Sequence, residues 1–382
     1  MKRPRRIAFL SESPHNKRDH ERFGIALLEN RGVRVEVWDL TSVLQSRLAS
    51  EYRPPDPFSW PGLRTFGSRR EALDAIAELG EDDFVVSHLA FEPAVWDAYR
   101  ALSKSRASYA IMSAGNLPSP QGTPPPLTPA RVFNALYMRA PMRALGLRPA
   151  AFAIFVGGEN ASRKRNPIGR GTEEIWCHGY DYDLYLAAKD GAKRDGTAVF
   201  LDEYVPFHPD YLRRGHEPYS TAERYYPELR GFFDAFERAT GLTVVVAAHP
   251  RSSYEKHPDY FGGRRVVRGR TVELVRDSDA VIAHSSTALA FAVLFRKPVV
   301  LAASADLRAC PDGPLINAMA RSLNKRLLDL AHPDQVDWKA ELVVDETAYA
   351  DFRRRYVKKD GTPEKPFWDI VADRLDLPQT RS

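Results

Sequence analysis

The sequence has little cysteine and no long apolar run. Two cysteines, Cys177 and Cys310, among 382 residues exclude a disulfide framework and a cysteine-based zinc site, and such scarcity is typical of a reducing compartment. No stretch approaches the ~18 apolar residues of a membrane-spanning helix. The apolar run at 7–10, behind the basic start, is shorter than the ~7–15 residues that a secretory signal needs, so we expect a cytoplasmic protein.

The chain also lacks a strong charge of either sign. Its 55 Lys and Arg against 50 Asp and Glu leave +5, an excess too small to predict a nucleic-acid partner. It is compatible with an anionic ligand and with peripheral contact to an anionic membrane surface. Apolar residues at 43% and charged residues at 27% exclude a disordered or fibrous chain, and the length allows two or three domains of ~100–200 residues.

Strand-like and helix-like segments alternate in both halves of the chain. In the first half, residues 7–10 predict a strand, 23–28 a helix and 33–38 the next strand. This is the βαβ order that builds parallel sheets. The same order resumes with a strand predicted at 197–201, and residues 314–331 predict one helix.

A polar stretch rich in structure breakers, residues 189–196, separates the two runs. We therefore predict an α/β fold of two Rossmann-like parallel-sheet domains that face a cleft. The domains are expected at 1–190 and 196–340, followed by a helical tail at 341–382. Because ligands of open α/β sheets bind beyond the carboxyl ends of strands, the residues that follow predicted strands are the first candidates for a site.

Three hydroxyl residues, Ser285, Ser286 and Thr287, form a cluster between a predicted strand and an apolar helix. The start of a helix offers unpaired N–H groups and a partial positive charge, and nearby hydroxyls add donors for a phosphate. The alternative is a single serine that caps the helix without a ligand. Three hydroxyls in a row exceed what a cap requires, so this hydroxyl cluster predicts a phosphate site.

The residues His249, Pro250 and Arg251 follow an apolar strand predicted at 243–248. Proline keeps the residue before it in an extended backbone, which fixes the imidazole at the edge of the sheet. The imidazole can donate a hydrogen bond to a phosphoryl oxygen, and Arg251 can hold a phosphate or a carboxylate. The alternative is a strand-end histidine that binds only a backbone carbonyl.

The second half of the chain resembles the nucleotide domain of GT-B glycosyltransferases in three features. One buried strand ends in His-Pro, a second strand is followed by the hydroxyl cluster, and a third strand starts at Lys297-Pro298. The resemblance covers residues 198–303. It is greatest to bacterial enzymes of surface and capsular polysaccharide biosynthesis, including those that use CMP-activated sialic acid or Kdo. It implies that His249 and the hydroxyl cluster contact the donor phosphate. The implied partners are a nucleotide sugar and a glycan or glycolipid acceptor. The location that we expect is the cytoplasm, where the basic charge would allow peripheral contact with the inner membrane.

Transfer of a sugar from a nucleotide builds negative charge on the departing phosphate, and hydrogen-bond donors that strengthen there lower the barrier. A helix start and basic side chains can neutralise that charge, so we expect a metal-independent enzyme without a cofactor. The acids at 181–183 and 277–279 have a metal-like spacing. The second pair precedes its predicted strand, and solvated loop acids are the simpler interpretation of both.

An acceptor hydroxyl must lose its proton, and a carboxylate near the cleft can take it. The candidates are Glu12, after the first strand of the chain, and Asp202 and Glu203, after the first strand of the second half. The resemblance implies a base in an acidic pair before glycine in the first domain. No such triplet stands there, and Glu159 is the nearest approximation, so the base stays open. Loop solvation or helix capping is the alternative for Asp202 and Glu203.

The resemblance also implies a ribose contact for Glu273, whose alternative is an exposed helical acid beside Arg276. The basic stretches at 163–170 and 264–270 could receive an anionic glycan or lipid, although a solvated face usually explains such runs. Two other functions stay open. A UDP-sugar 2-epimerase-like isomerase would turn over without an acceptor, and a non-catalytic member of a polysaccharide assembly complex would bind only a glycan or a nucleotide.

Overall fold

The computed structural model describes residues 2–54, 58–118, 128–129, 132–133, 136, 140–161, 167–191 and 193–379. In these residues the strands form two parallel sheets, one in each half of the chain. The order of the first sheet is β3-β2-β1-β4-β5-β6-β7, and the order of the second is β10-β9-β8-β11-β12-β13. The prediction of two parallel-sheet α/β domains is therefore confirmed.

The first sheet contains β1 (Arg6–Ser11), β2 (Arg34–Asp39), β3 (Leu63–Thr65), β4 (Asp83–Ser87), β5 (Ser108–Ala114), β6 (Phe152–Val156) and β7 (Glu173–Cys177). The second sheet contains β8 (Thr197–Leu201), β9 (Thr243–Ala248), β10 (Val266–Arg268), β11 (Ala280–Ala283), β12 (Val299–Ala303) and β13 (Leu327–Asp329).

The α-helices described before β8 are Lys17–Arg22, Ile25–Asn30, Thr41–Leu44, Ser46–Glu51, Arg69–Ala77, Trp96–Lys104 and Tyr180–Ala188. Those after β8 are Asp210–Arg214, Ala222–Thr240, Thr271–Asp277, Leu289–Leu294, Ala305–Ala309, Gly313–Ser322, Trp338–Glu341, Glu346–Phe352 and Phe367–Arg374. Among the described residues, none of these helices has the length and apolar composition that crossing a lipid bilayer requires.

Both sheets are buried on both faces, which explains why their central strands are continuous apolar runs. In β1, Ile7 and Phe9 belong to one hydrophobic cluster, and Ala8 and Leu10 belong to the cluster on the opposite face. The alternation of side chains along a strand produces this division. β8 is built in the same way, between two further clusters. Each sheet therefore has its own pair of cores.

The chain crosses between the two lobes twice. The helix Tyr180–Ala188 follows the last strand of the first sheet, yet Tyr182 packs in the core of the second lobe. The helix Phe367–Arg374 returns to the first lobe, where Trp368 packs against Phe9 with their ring centroids 5.0 Å apart. Gly24 has a φ of 57°, and a Cβ there would lie 2.3 Å from the Trp368 ring. The end of the chain is therefore an integral part of the first lobe.

One predicted helix is wrong in its second half. The helix Gly313–Ser322 ends where 314–331 was expected to continue, and Leu327–Asp329 forms β13, paired with β12. Asn324 takes a left-handed backbone with a φ of 51°, which stops the helix and turns the chain toward the sheet. Much of the basic stretch at 163–170 lies outside the described residues.

Candidate functional site

Three loops meet at the carboxyl edge of the second sheet. β8 lies between β9 and β11, so the residues after these three strands share one edge. Asp202 and Glu203 follow β8, His249 follows β9, and Ser285 belongs to the loop that follows β11. The carboxylates of the middle loop accept hydrogen bonds from the His249 and Ser285 N–H groups of the two neighbouring loops, so the structure brings these four predicted residues together.

Asp202 holds the backbone of the neighbouring loop. The carboxylate is 4% exposed. Its Oδ2 accepts hydrogen bonds from the His249 N–H at 3.0 Å and the Tyr254 hydroxyl at 2.9 Å. Its Oδ1 accepts from the Tyr204 N–H at 2.9 Å. Burial raises the pKa of Asp202 to about 6, although these donors oppose the shift. The contacts make Asp202 a positioning group for His249, and its predicted role as a base stays a prediction.

Glu203 binds the first residue of the hydroxyl cluster. One carboxylate oxygen accepts a hydrogen bond from the Ser285 N–H at 2.6 Å, and the other accepts from the Ser285 hydroxyl at 3.1 Å. The Glu203 carboxylate therefore accepts hydrogen bonds from the two Ser285 donors that were expected to bind a phosphate. Ser286 Oγ accepts from the Ala288 N–H at 3.3 Å, so it still has a proton to donate, and Thr287 is exposed. A phosphate would therefore meet Ser286 and Thr287 before Ser285.

His249 presents a neutral imidazole with a defined donor. Its Nδ1 accepts a hydrogen bond from the Arg251 N–H at 3.2 Å, which assigns the ring proton to Nε2. Burial lowers the pKa of His249 well below its usual value, and neighbouring His208 and Arg251 lower it further. The His208 ring lies against it, with centroids 4.8 Å apart. At neutral pH the side chain is therefore an uncharged Nε2–H donor.

Arg251 and Pro250 complete the loop after β9. The Arg251 Nη1 donates to Asp210 Oδ1 at 2.9 Å, and the side chain keeps about a third of its surface exposed. Asp210 begins a short helix that packs against the helix Ser46–Glu51 of the first lobe. This contact places the loop after β9 close to the first lobe.

Glu12 and His15 lie in the first lobe, in the loop that follows β1. Glu12 is 6% exposed, and Gln45 Nε2 approaches its Oε2 to 3.5 Å. His15 is 5% exposed, and neither of its ring nitrogens has a hydrogen-bond partner among the described residues. Burial lowers the pKa of His15, so its imidazole is neutral. His15 was not among the residues predicted from the sequence, although its place after a strand was a usable signal.

Glu273 is not the exposed helical acid paired with Arg276 that the alternative interpretation described. It lies in the first turn of the helix Thr271–Asp277, and its Oε2 is buried without a hydrogen-bond partner in the described part of the chain. Arg276 pairs instead with Asp277, with Nε and Oδ1 2.8 Å apart. An unpaired buried carboxylate oxygen is costly and is a common sign of a missing ligand or water. The predicted ribose contact stays a prediction.

Other polar groups near this edge are satisfied within the protein. His284 is 1% exposed, and its ring nitrogens contact the Tyr225 hydroxyl at 2.8 Å and the Ala302 carbonyl at 2.5 Å. Arg264 precedes β10, at the opposite edge of the sheet, and pairs with Asp234 and Glu237. Within the described ranges, no three His, Cys, Asp or Glu side chains are grouped as a metal site would need.

No family model matches the sequence, and no curated protein matches it. Solved structures match over nearly the whole chain. The calicheamicin glycosyltransferase CalG4 aligns with 98% of this chain and 98% of its own, at 13% identity and a TM-score of 0.51. The wall teichoic acid polymerase TagF aligns with 98% of this chain and 89% of its own, at 11% identity and a TM-score of 0.53. At these identities the likeness shows the GT-B fold alone.

Proposed function

We propose that this chain is a metal-independent glycosyltransferase of the GT-B type that takes a sugar from a nucleotide donor. The donor phosphate would lie at the carboxyl edge of the second sheet, beside His249, Ser286 and Thr287. The sugar would lie in the cleft toward the first lobe. The GT-B fold of the chain supports this proposal, and the contacts of the site specify its details.

The observation that carries the proposal is the state of His249. Its imidazole is neutral, its proton is assigned to Nε2, and Asp202 holds its backbone. Among the described residues, its Nε2 has no hydrogen-bond partner. A fixed donor of this kind strengthens its hydrogen bond as negative charge develops on the departing phosphate, which lowers the barrier to transfer. Glu273, with its unpaired oxygen, is proposed to bind the donor ribose.

The base that deprotonates the acceptor is proposed to come from the first lobe. Asp202 and Glu203 already accept hydrogen bonds from the loops that they hold. Glu12 and His15 follow β1, and the ring nitrogens of His15 have no partner in the described part of the chain. A neutral imidazole or a carboxylate at this position can take a proton from a hydroxyl. Glu12 and His15 are therefore the two candidates we favour.

The finer identity of the substrates is part of the same proposal. We infer a CMP-linked acid sugar as donor, because Arg251 can meet a carboxylate. A surface polysaccharide or glycolipid is the acceptor that we favour. The enzyme would then work in the cytoplasm, at the inner membrane surface, without a cofactor.

Calorimetric titration with CMP, CDP and UDP tests the proposal. We expect one nucleotide to bind the wild type, and His249→Ala to weaken its binding about 10- to 150-fold, because a hydrogen bond to a charged group contributes about 1.5–3 kcal/mol. Ser286→Ala should also weaken the binding of that nucleotide. His332→Ala, which changes an exposed histidine of the same lobe, is the control. Unchanged affinity in the first two variants, with the fold intact by circular dichroism, would refute the proposal.

Turnover distinguishes transfer from isomerisation. NMR of the protein with UDP-sugars alone should show no sugar epimer forming, because the proposed reaction needs an acceptor. Accumulation of an epimer without an acceptor would refute the proposed transferase function and support the isomerase function. A melting temperature that no nucleotide changes would favour a non-catalytic binding protein, since a ligand at about 100 times its Kd stabilises by about 2.7 kcal/mol.

A further inference from the structure

The segment after β8 contains a second His-Pro pair, at His208 and Pro209. His208 takes an extended backbone with a ψ of 126°, as the residue before a proline does. Its Nδ1 accepts a hydrogen bond from the Asp210 N–H at 3.1 Å. The loop after β9 repeats this turn, because His249 Nδ1 accepts from the Arg251 N–H, which is also two residues further on. The two loops therefore fix their imidazoles in the same way.

Both histidines carry their ring proton on Nε2. A neutral ring whose Nδ1 accepts a hydrogen bond has its proton on the other nitrogen. Burial lowers the pKa of His208 to about 4, although Asp210 opposes the shift. At neutral pH His208 is therefore an uncharged Nε2–H donor, as His249 is. The His208 side chain is 21% exposed, and its Nε2 makes no hydrogen bond with the residues that the structure describes.

Direct contacts join the two loops. The His208 and His249 rings pack edge to face, with their centroids 4.8 Å apart. We call these two residues the paired histidines. Two positions further along each loop, Arg251 Nη1 donates a hydrogen bond to Asp210 Oδ1 at 2.9 Å. This ion pair balances the charge of the Asp210 carboxylate, which would otherwise repel an anion beside the rings.

The third His-Pro pair of the chain, at His257 and Pro258, differs from these two. His257 Nε2 lies 3.4 Å from the Tyr204 hydroxyl, and its ring stacks on Phe207 with the centroids 4.8 Å apart. This histidine is therefore used within the protein. A His-Pro pair does not by itself leave a donor open, and the open Nε2–H groups of the paired histidines indicate a ligand.

We propose that His208 is a second phosphate-binding residue, and that the paired histidines donate their Nε2–H groups to oxygens of the same donor phosphate. The inference rests on the proposed function, which puts that phosphate beside His249. Because both rings are neutral, they can lie side by side without repelling each other. Each hydrogen bond strengthens as the phosphate gains negative charge during transfer. His208 therefore stabilises the departing phosphate as well as binding it.

Two substitutions of His208 separate its hydrogen bond from its packing. His208→Phe keeps a ring against His249 and removes the donor, whereas His208→Gln keeps an N–H near the position of Nε2. In calorimetry with CMP, CDP and UDP, we expect His208→Phe to weaken the binding of the nucleotide that the wild type binds by about 10-fold or more. His208→Gln should recover most of that affinity. His332→Ala, at an exposed histidine of the same lobe, is the control and should change nothing.

Nitrogen NMR of the wild type, labelled in its histidine rings, observes the contact without a substitution. We expect the His208 ring to carry its proton on Nε2, and the Nε2 resonance to move when the nucleotide is added to saturation. The matching nucleoside, cytidine or uridine, lacks the phosphate and should leave that resonance in place. A proton on Nδ1, or a resonance that the nucleotide does not move, would contradict the proposal.

The outcomes separate this inference from the proposed function. Nucleotide binding that depends on His249 and is unchanged in His208→Phe overturns the role of His208 alone. Equal losses in His208→Phe and His208→Gln, with both variants folded by circular dichroism, also refute it, because a residue that only packs gains nothing from the amide. A protein that binds none of the three nucleotides overturns both proposals.

Discussion

Replacing Asp202 by asparagine tests how the buried carboxylate positions His249. The pKa of Asp202 is raised by burial from 3.8 to about 6. This difference corresponds to about 3 kcal/mol of free energy that the charged group costs the folded state at pH 7 and above. The folded protein binds this proton more tightly than the unfolded chain does. Stability due to Asp202 therefore increases as the pH falls through 6, and the cost is fully relieved below about pH 3.8.

The substitution removes this pH dependence and also disturbs hydrogen bonds. Asparagine cannot ionise, and its amide NH₂ would face backbone N–H donors that now meet a carboxylate. Losing one buried hydrogen bond costs about 1–3 kcal/mol, which is close to the cost of the charge. We therefore expect Asp202→Asn to have nearly the stability of the wild type at pH 8, with weaker nucleotide binding because His249 is less firmly held.

Urea unfolding at pH 5, 6, 7 and 8 measures the effect. The free energy of unfolding of the wild type, relative to Asp202→Asn, should rise by about 1 kcal/mol between pH 8 and pH 5. The exposed Asp360 supplies the control, and Asp360→Asn should parallel the wild type over this interval. Equal pH dependence in the wild type and Asp202→Asn would refute the raised pKa, and unchanged nucleotide affinity would refute the positioning role.

Two further predictions concern the first lobe. Gly115→Ala should lower the free energy of unfolding by about 1–3 kcal/mol or more, because a Cβ there would lie 2.2 Å from the Ala161 backbone nitrogen. Gly171→Ala, with nothing within 4 Å of the added atom, should be tolerated, and equal melting temperatures for the two variants would contradict this. Arg31→Ala should destabilise by about 1.5–3 kcal/mol, because Arg31 is 3% exposed and pairs with Asp369. Faster proteolysis of the last helix should accompany the loss, and an unchanged digestion rate would contradict it.

The fold was largely predictable because strands that are buried on both faces of a sheet consist of consecutive apolar residues. β1 and β11 were found in this way. β6, Phe152–Val156, was missed although it is equally apolar. Periodicity cannot distinguish a short buried strand from other buried segments. The turn at Asn324 was missed because asparagine takes a left-handed backbone only in some contexts, so the residue type alone does not reveal it.

The sequence predicted which strand ends form the site, but not the contacts between the residues there. The rule that ligands meet the carboxyl edge selected Asp202, Glu203, His249 and Ser285, and they share one edge. The rule could not show that Glu203 binds Ser285, because that contact depends on the order β9-β8-β11, which the sequence does not state.

The double crossing of the chain, at Tyr180–Ala188 and again before Phe367–Arg374, has a mechanical consequence. The two crossings contact each other, because the Tyr182 hydroxyl donates a hydrogen bond to Glu364 and the Phe367 N–H donates one to Asp183. They therefore form one hinge, about which the angle between the lobes is expected to change. A substrate that contacts both lobes would set this angle, so its binding to one lobe would affect its binding to the other.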